Sequence, residues 1–234
     1  MIDDYAAHAA VWDWDGFDNT PEYERWLHCA RPYGNKVLLP MCALGQLGAF
    51  MAQKGCLVTG FDITQEMITE GLFRFGAIEN LDLQIADVRS FSLLTKDFDF
   101  CLIKDNDLHL LADLEAVQQA LRTIALHMRS GGGLMLALTL PGKKSYKTPL
   151  ETYHPRVPKE SGPKVWKTGQ CRYEASSKRF YIKQTVHVDD TQFPYEITLQ
   201  YYSRRELLRT LRDCGWTVQS ETQENGWILE CVKN

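Results

Sequence analysis

Residues 36–62 read KVLLPMCALGQLGAFMAQKGCLVTGFD and combine two short apolar runs with a turn between them. The runs, residues 37–39 and 57–61, have the length and composition of buried strands. Between them, small and turn-forming residues lead into apolar positions at helical spacing, and Asp62 follows the second run. A strand, tight turn, helix and acid-ended strand is typical of a nucleotide-binding half-site. There, helix N-terminal N–H groups and the acid bind the ligand.

Alternating apolar runs and amphipathic segments continue on both sides of this unit. The pattern predicts further strands at 81–85, 98–103 and 134–140. It predicts helices at 3–14, 20–30, 65–75 and from residue 113 to a stop at Ser130 and three glycines. Such an order favours an α/β fold, a doubly wound and mostly parallel sheet that binds ligands beyond the carboxyl ends of its strands.

The pattern changes after residue 140. A loop with five prolines (141–165) precedes three expected strands, 166–173, 179–188 and 195–202, which we interpret as an antiparallel flap. A capped helix (204–214) and a hairpin (217–222 and 227–233) with an Asn-Gly turn follow. The chain is therefore expected to form a single domain, 1–234. It would comprise a helical cap (1–35), a core (36–140 and 203–234) and an inserted flap (141–202).

Composition limits the class of protein. The 234 residues are 44% hydrophobic and 24% charged, which is typical of soluble globular proteins. No apolar run approaches the roughly 20 residues needed to cross a bilayer, and the N-terminus lacks a signal-peptide pattern. The seven cysteines are scattered singly, which predicts reduced thiols in a cytoplasmic protein and no metal site.

Charge is unevenly distributed along the chain. Residues 143–183 hold eight lysines and three arginines against three glutamates, a local charge of +8 on a chain of net charge −4. This segment either binds an anionic partner or forms a solvated basic surface, and the sequence leaves both open. The pI of about 5.9 and the acidic remainder argue against a nucleic-acid partner.

Several short motifs, taken together, resemble one large family. They are Val37-Leu38 before the turn, Gly60-Phe61-Asp62-Ile63 with Glu66-Met67, Ala86-Asp87-Val88, Phe98-Asp99 with Leu108-His109-Leu110-Leu111, Ser130 to Gly133, and Tyr202 to Leu208 with Cys214-Gly215-Trp216. Over nearly its whole length the chain resembles class I S-adenosyl-L-methionine-dependent methyltransferases. The flap and the last group are similar to the subgroup that methylates small molecules, some on amines of amino acids or amino sugars.

The resemblance implies a fold, a cofactor and a reaction. The fold would be a Rossmann-like, doubly wound seven-stranded sheet with an antiparallel terminal hairpin and a β flap inserted after strand five. The cofactor would be S-adenosyl-L-methionine, with S-adenosyl-L-homocysteine as product. The reaction would transfer a methyl group to a nitrogen or oxygen of a small-molecule, possibly anionic, acceptor. No membrane partner is expected, and the protein is either a monomer or a homodimer.

Site residues follow from the resemblance by position. Asp62 would bind the ribose hydroxyls, Ile63 and Met67 would lie beside the adenine, and Asp87 would accept from its amino group with Val88 lining that pocket. The remaining cofactor contacts would be Pro40, Met41, Gly45 and Lys104. The substrate contacts would be Tyr5, Trp12, Arg172 and Tyr181. The candidate general bases are His109, Asp105 and Tyr153.

The turn after the first strand departs from the family pattern. The family has an acid followed by three alternating glycines, whereas Leu39, Met41 and Ala43 occupy the acid and the first two glycine positions. Only Gly45 remains, and glycine is the residue that permits close backbone approach and positive φ. This departure motivates one alternative, a non-catalytic or repurposed fold that binds another nucleoside or a protein partner. The basic flap motivates a second alternative, an RNA methyltransferase that uses it. A third, an NAD-binding Rossmann enzyme, is disfavoured because residues 45–48 lack the Gly-x-Gly-x-x-Gly pattern.

Overall fold

The computed structural model describes residues 9, 12, 19–138, 165–223 and 226–234. The expected helix at 3–14 and the Asn-Gly turn therefore lie largely outside the described residues. The same holds for residues 139–164, which include most of the proline-rich loop.

Ten strands and five helices are assigned in these ranges. The strands are β1 (Lys36–Pro40), β2 (Leu57–Asp62), β3 (Leu81–Ile85), β4 (Phe98–Ile103), β5 (Met128–Leu138), β6 (Val165–Glu174), β7 (Arg179–Val188), β8 (Thr191–Gln200), β9 (Trp216–Thr222) and β10 (Trp227–Lys233). The helices are α1 (Thr20–Ala30), α2 (Gln46–Gln53), α3 (Gln65–Phe75), α4 (Leu114–His127) and α5 (Arg204–Asp213).

The central sheet has seven strands in the order β3-β2-β1-β4-β5-β10-β9. Strands β1 to β5 pair in parallel, whereas β10 pairs antiparallel with both β5 and β9. This is the Rossmann-like, doubly wound fold with an antiparallel terminal hairpin that the sequence predicted. The strand order reverses between β1 and β4, the position at which doubly wound sheets bind ligands.

Strands β6, β7 and β8 form a separate antiparallel sheet, which confirms the flap inserted after strand five. One prediction within it needs correction. The third flap strand spans Thr191–Gln200 instead of 195–202. Tyr201 and Tyr202 belong to the link to α5, where the Tyr202 hydroxyl donates to the Leu111 carbonyl.

The start of β5 was also predicted wrongly. The helix α4 ends at His127, and the strand begins at Met128 and includes the three glycines that had been assigned to a helix stop. Gly133 pairs with Phe100 of β4, and a Cβ atom there would lie 2.7 Å from the ring of Tyr33. Gly133 is therefore required by close packing against an aromatic ring, and it does not terminate the helix.

Two apolar layers cover the faces of the central sheet. One is built around α4, α5 and the terminal hairpin, and the other around α1 and α2. Trp26 and Leu27 of α1 are buried in the second layer, and Tyr23 is partly buried against it. These layers hold the strands rigidly, so the turns at their carboxyl ends have fixed positions.

Candidate active site

The turn between β1 and α2 has an unusual backbone. Met41 has φ 57°, Ala43 has φ 49° and Gly45 has φ 82°, so all three lie in the left-handed region. Residues other than glycine rarely adopt this conformation, at a cost of roughly 1–2 kcal/mol each. The turn therefore has glycine-type φ angles at the two positions where the expected glycines are replaced.

Hydrogen bonds hold this turn against the end of β2. The backbone N–H of Ala43 donates to Oδ2 of Asp62 at 2.9 Å, and the N–H of Cys42 donates to the Phe61 carbonyl at 3.0 Å. On the other side, the N–H of Thr64 donates to Oδ1 of Asp62 at 2.9 Å. Each oxygen of Asp62 thus accepts one N–H and retains a lone pair for a ligand hydroxyl.

The space beneath the turn is closely filled. Cys42 points at Gly60 of β2, where a Cβ atom would lie 3.1 Å from its sulfur. A Cβ atom at Gly45 would lie 2.7 Å from Leu83 of β3. Burial raises the pKa of the Cys42 thiol well above its usual value, so the side chain is a neutral packing group. Gly45 and Gly60 are thus fixed by packing as well as by backbone conformation.

Residues near the predicted adenine pocket differ in accessibility. Ile63 is 60% exposed directly after Asp62, an apolar side chain open to a ligand. Val88 is buried in the core, and Met67 is buried against Leu44 and Ala9. Ala9 lies in the region expected to form the helical cap, and its contact with Leu44 places this residue against the turn.

The carboxylate of Asp87 already accepts hydrogen bonds from Arg89. Its oxygens accept from the backbone N–H and Nε of Arg89 at 2.9 Å each, and the guanidinium also reaches Oδ2 through Nη2. Hydrogen bonding to Arg89 lowers the pKa of Asp87 below its usual value. An adenine amino group would have to compete with Arg89 for this carboxylate, so the role assigned to Asp87 stays a prediction.

The turn after β4 carries most of the charge at this edge of the sheet. Lys104 lies 3.2 Å from Glu22 of α1 and also pairs with Asp105. Burial would lower the pKa of Lys104, but Asp105 and Glu22 outweigh it and raise the pKa. The ammonium group of Lys104 is therefore charged and is shared between two carboxylates.

His109 lies in the short 3-10 turn Asp107–Leu110 that follows, and it is only 1% exposed. Its Nδ1 lies 2.8 Å from the Gln200 carbonyl, and its ring stacks on Tyr202 with centroids 5.6 Å apart. Because a carbonyl can only accept, Nδ1 carries the proton and Nε2 has a free lone pair. That Nε2 is buried and has no hydrogen-bond partner among the described residues.

Burial lowers the pKa of His109 to about 4, although the Gln200 carbonyl opposes the shift. The imidazole is therefore neutral near pH 7. A buried acceptor without a partner is costly, which suggests that a ligand supplies the donor. As a base it is weak, so accepting a hydrogen bond suits it better than accepting a proton.

The predicted substrate residues lie in different places. Arg172 and Tyr181 pair across β6 and β7, with the guanidinium 4.5 Å from the ring centroid. Arg172 also lies 3.4 Å from Glu174, and Trp12 is 38% exposed. Tyr5 and Tyr153 lie outside the described residues. The positions of Arg172, Tyr181 and Trp12 leave their assignment to the substrate a prediction.

The described side chains contain no cluster that could hold a metal ion. The described helices include none that is long and apolar enough to cross a membrane. All seven cysteines lie within the described ranges and are free.

Part of the chain matches a known family model. Residues 37–132 match a family model described as a methyltransferase domain. YqeM of Bacillus subtilis, whose name describes it as a methyltransferase, is 22% identical over 133 residues, or 56% of this chain. The chain spans only about half of that relative, 53% of its length.

Solved structures match over the whole chain. DesVI of Streptomyces venezuelae is 16% identical, covers 100% of both chains and has a TM-score of 0.81. CalS10 of Micromonospora echinaspora, an amino pentose methyltransferase with bound S-adenosylmethionine, is 16% identical and has a TM-score of 0.72. This match covers 98% of this chain and 95% of that one. At such identities the likeness shows the fold.

Proposed function

We propose that the chain is a class I S-adenosylmethionine-dependent methyltransferase and that it transfers a methyl group from S-adenosyl-L-methionine to a small molecule, which the match of residues 37–132 to a methyltransferase-domain model and the shared fold support. The product of the cofactor would be S-adenosyl-L-homocysteine. One observation carries the proposal. Met41 and Ala43 adopt glycine-type φ angles, and the N–H of Ala43 donates to Asp62. The turn therefore has the left-handed backbone that glycines would allow, although the glycines themselves are absent.

The residues at the strand ends fit this cofactor. The free lone pairs of Asp62 suit the two ribose hydroxyls, and the exposed Ile63 suits an adenine face. Gly45 is the N-cap of α2, and the amino acid part of the cofactor would lie at this helix N-terminus. When bound, the cofactor supplies an already activated methyl group, so the protein's task is mainly to position the acceptor.

His109 is the residue best suited to orient the acceptor. Its buried Nε2 would accept a hydrogen bond from an N–H or O–H of the acceptor. This bond would fix the nucleophile and would satisfy the imidazole. Water would be excluded by the flap and by the helical cap, of which Ala9 packs on Leu44 of the turn.

We favour an amine over a hydroxyl as the acceptor group. CalS10, which shares the fold, acts on an amino pentose. Carboxylates outnumber cations around the turn after β4, which favours a cationic or neutral amine over an anion. The basic flap residues Lys178, Lys183 and Arg172 are each paired with a glutamate, which weakens the case for RNA. The free cysteines suit a cytoplasmic location.

Isothermal titration calorimetry with S-adenosylmethionine and S-adenosylhomocysteine tests the proposal. We expect both to bind with micromolar affinity. If neither binds, the fold has been repurposed and the catalytic proposal is wrong. An RNA mobility shift that disappears as salt rises would favour the RNA methyltransferase instead.

A further inference from the structure

Strand β1 offers no carboxylate to a ligand. Leu39 occupies the position of the family's acid, and it is 4% exposed and packed in the layer formed by α1 and α2. In the family pattern this acid is a possible partner for the ammonium group of the cofactor. The chain therefore needs another group for that charge if it binds the same cofactor.

The neighbouring strand β4 ends in a turn that supplies one. Strands β1 and β4 pair in parallel, so their carboxyl ends meet at the same edge. After β4, Asp105 (φ 56°) and Asn106 (φ 69°) are both left-handed, and the N–H of Asp107 then donates to the Lys104 carbonyl at 3.0 Å. This sharp reversal brings Asp107 back toward the strand ends.

Asp107 lies among other acids without a partner of its own. Its carboxylate accepts no hydrogen bond from any residue that the structure describes. Burial raises its pKa well above the usual range; Asp105 and Asp62 raise it further, and Lys104 only partly opposes them. The negative charges of Asp107 and Asp62 both raise the pKa of Cys42, which lies in the turn after β1. Asp107 is therefore close to that turn. Lys104 cannot neutralise it fully because Glu22 and Asp105 share that ammonium group.

The proposed cofactor carries two positive groups, the ammonium and the sulfonium. An ammonium has three N–H donors for a carboxylate, whereas a sulfonium has none. A carboxylate against the sulfonium would also stabilise the charged reactant more than the transition state, in which that charge is being lost. The ammonium is therefore the better partner for Asp107.

On the basis of the proposed function, we propose that the Asp107 carboxylate holds the ammonium group of the cofactor and replaces the acid that β1 lacks. The role is a positioning one, because Asp107 fixes the amino acid end of the cofactor. The rest of the cofactor is held by the turn and by Asp62.

Binding of two ligands to two variants isolates the contact between Asp107 and the ammonium group, without any measurement of turnover. Calorimetry would compare S-adenosylhomocysteine with its desamino analogue, in which hydrogen replaces the ammonium group, in the wild type and in Asp107→Asn. The wild type should bind the desamino analogue about tenfold to a hundredfold more weakly, the range for one charged hydrogen bond. Asp107→Asn should bind the two ligands within about threefold of each other, since the contact is already lost.

Asp82→Asn is the matched control, because it makes the same change on an exposed side chain of β3. It should keep the wild-type preference for the ammonium. The inference is overturned if Asp107→Asn keeps that preference, if Asp82→Asn loses it, or if Asp107→Asn binds neither ligand. If the wild type binds neither cofactor nor product, the proposed function itself fails.

Discussion

Two turns at the same edge of the sheet both contain residues with left-handed φ angles, but they contribute different groups to the candidate site. The turn after β1 holds Met41 and Ala43 left-handed, and the turn after β4 holds Asp105 and Asn106 left-handed. The first contributes only backbone N–H groups, which it directs at Asp62. The second contributes charged and titratable side chains.

The first turn shows that Met41 and Ala43 can adopt the left-handed φ angles that usually favour glycine. Strain at Met41 and Ala43 is offset by the bond from Ala43 to Asp62 and by packing of Cys42 and Leu44 below. The first turn has no carboxylate of its own, whereas the second turn carries two, those of Asp105 and Asp107. Substitutions in and near the two turns test this difference between them, beginning with the largest expected effect.

Replacing Asp62 by alanine should weaken binding of S-adenosylhomocysteine by about a hundredfold. The change removes charged acceptors for the ribose hydroxyls, worth roughly 1.5–3 kcal/mol for each bond, and leaves the N–H groups of Ala43 and Thr64 unpaired. Calorimetry measures the affinity. Asp82→Ala on the exposed part of β3 is the control, and we expect it to have no effect. A loss below threefold for Asp62→Ala would mean that the first turn does not bind the ribose.

Acid should destabilise the second turn through His109. With a folded pKa of about 4 and an ordinary value near 6.5, the unfolded chain binds a proton between these pH values that the folded chain does not. Stability should therefore fall by about 2 kcal/mol between pH 7 and pH 5 from this residue alone. Urea unfolding of His109→Gln should show that much less pH dependence, whereas the exposed His28→Gln should match the wild type. Equal pH dependence in His109→Gln and wild type would contradict a buried neutral imidazole.

The sequence predicted the framework well because local signals there agree with the tertiary structure. Helix α3 and strands β3 and β4 have the predicted bounds, since each is an apolar segment enclosed by a cap or turn residue. The glycines at 131–133 misled the prediction because locally they resemble a helix stop. The requirement at Gly133 comes from Tyr33, a residue about 100 positions away.

The site was less predictable for a similar reason. The sequence shows that Met41 and Ala43 replace glycines, but it does not show that the backbone keeps positive φ there. Asp87 was recognised by position, yet the sequence gives no sign that Arg89 binds it. Asp107 was passed over because a run of acids and lysines at a strand end does not reveal which of them is left without a partner.

Exchanging the residue type at two left-handed positions of the first turn should change stability in opposite directions. Ala43→Gly should stabilise the protein by about 1 kcal/mol, because glycine relieves the cost of φ 49°. Gly45→Ala should destabilise it by roughly 1–3 kcal/mol, because φ 82° is unfavourable and the new methyl group would lie 2.7 Å from Leu83. Urea unfolding measures both. Destabilisation by Ala43→Gly would show that Ala43 is not strained.

The smallest change in cofactor affinity is expected at Met41 and Ala43, the positions where the sequence departs most clearly from the family pattern. Restoring both glycines, Met41→Gly with Ala43→Gly, should change the affinity for S-adenosylmethionine by less than about threefold, under 0.7 kcal/mol. The backbone already has the required φ angles, so little remains to be gained from added freedom. Ala43→Gly alone controls for lost packing of the Met41 side chain, which lies against the core. A large gain in the double variant would show that the Met41 side chain occupies the space of the cofactor. The turn after β1 would then have drifted in function as well as in sequence.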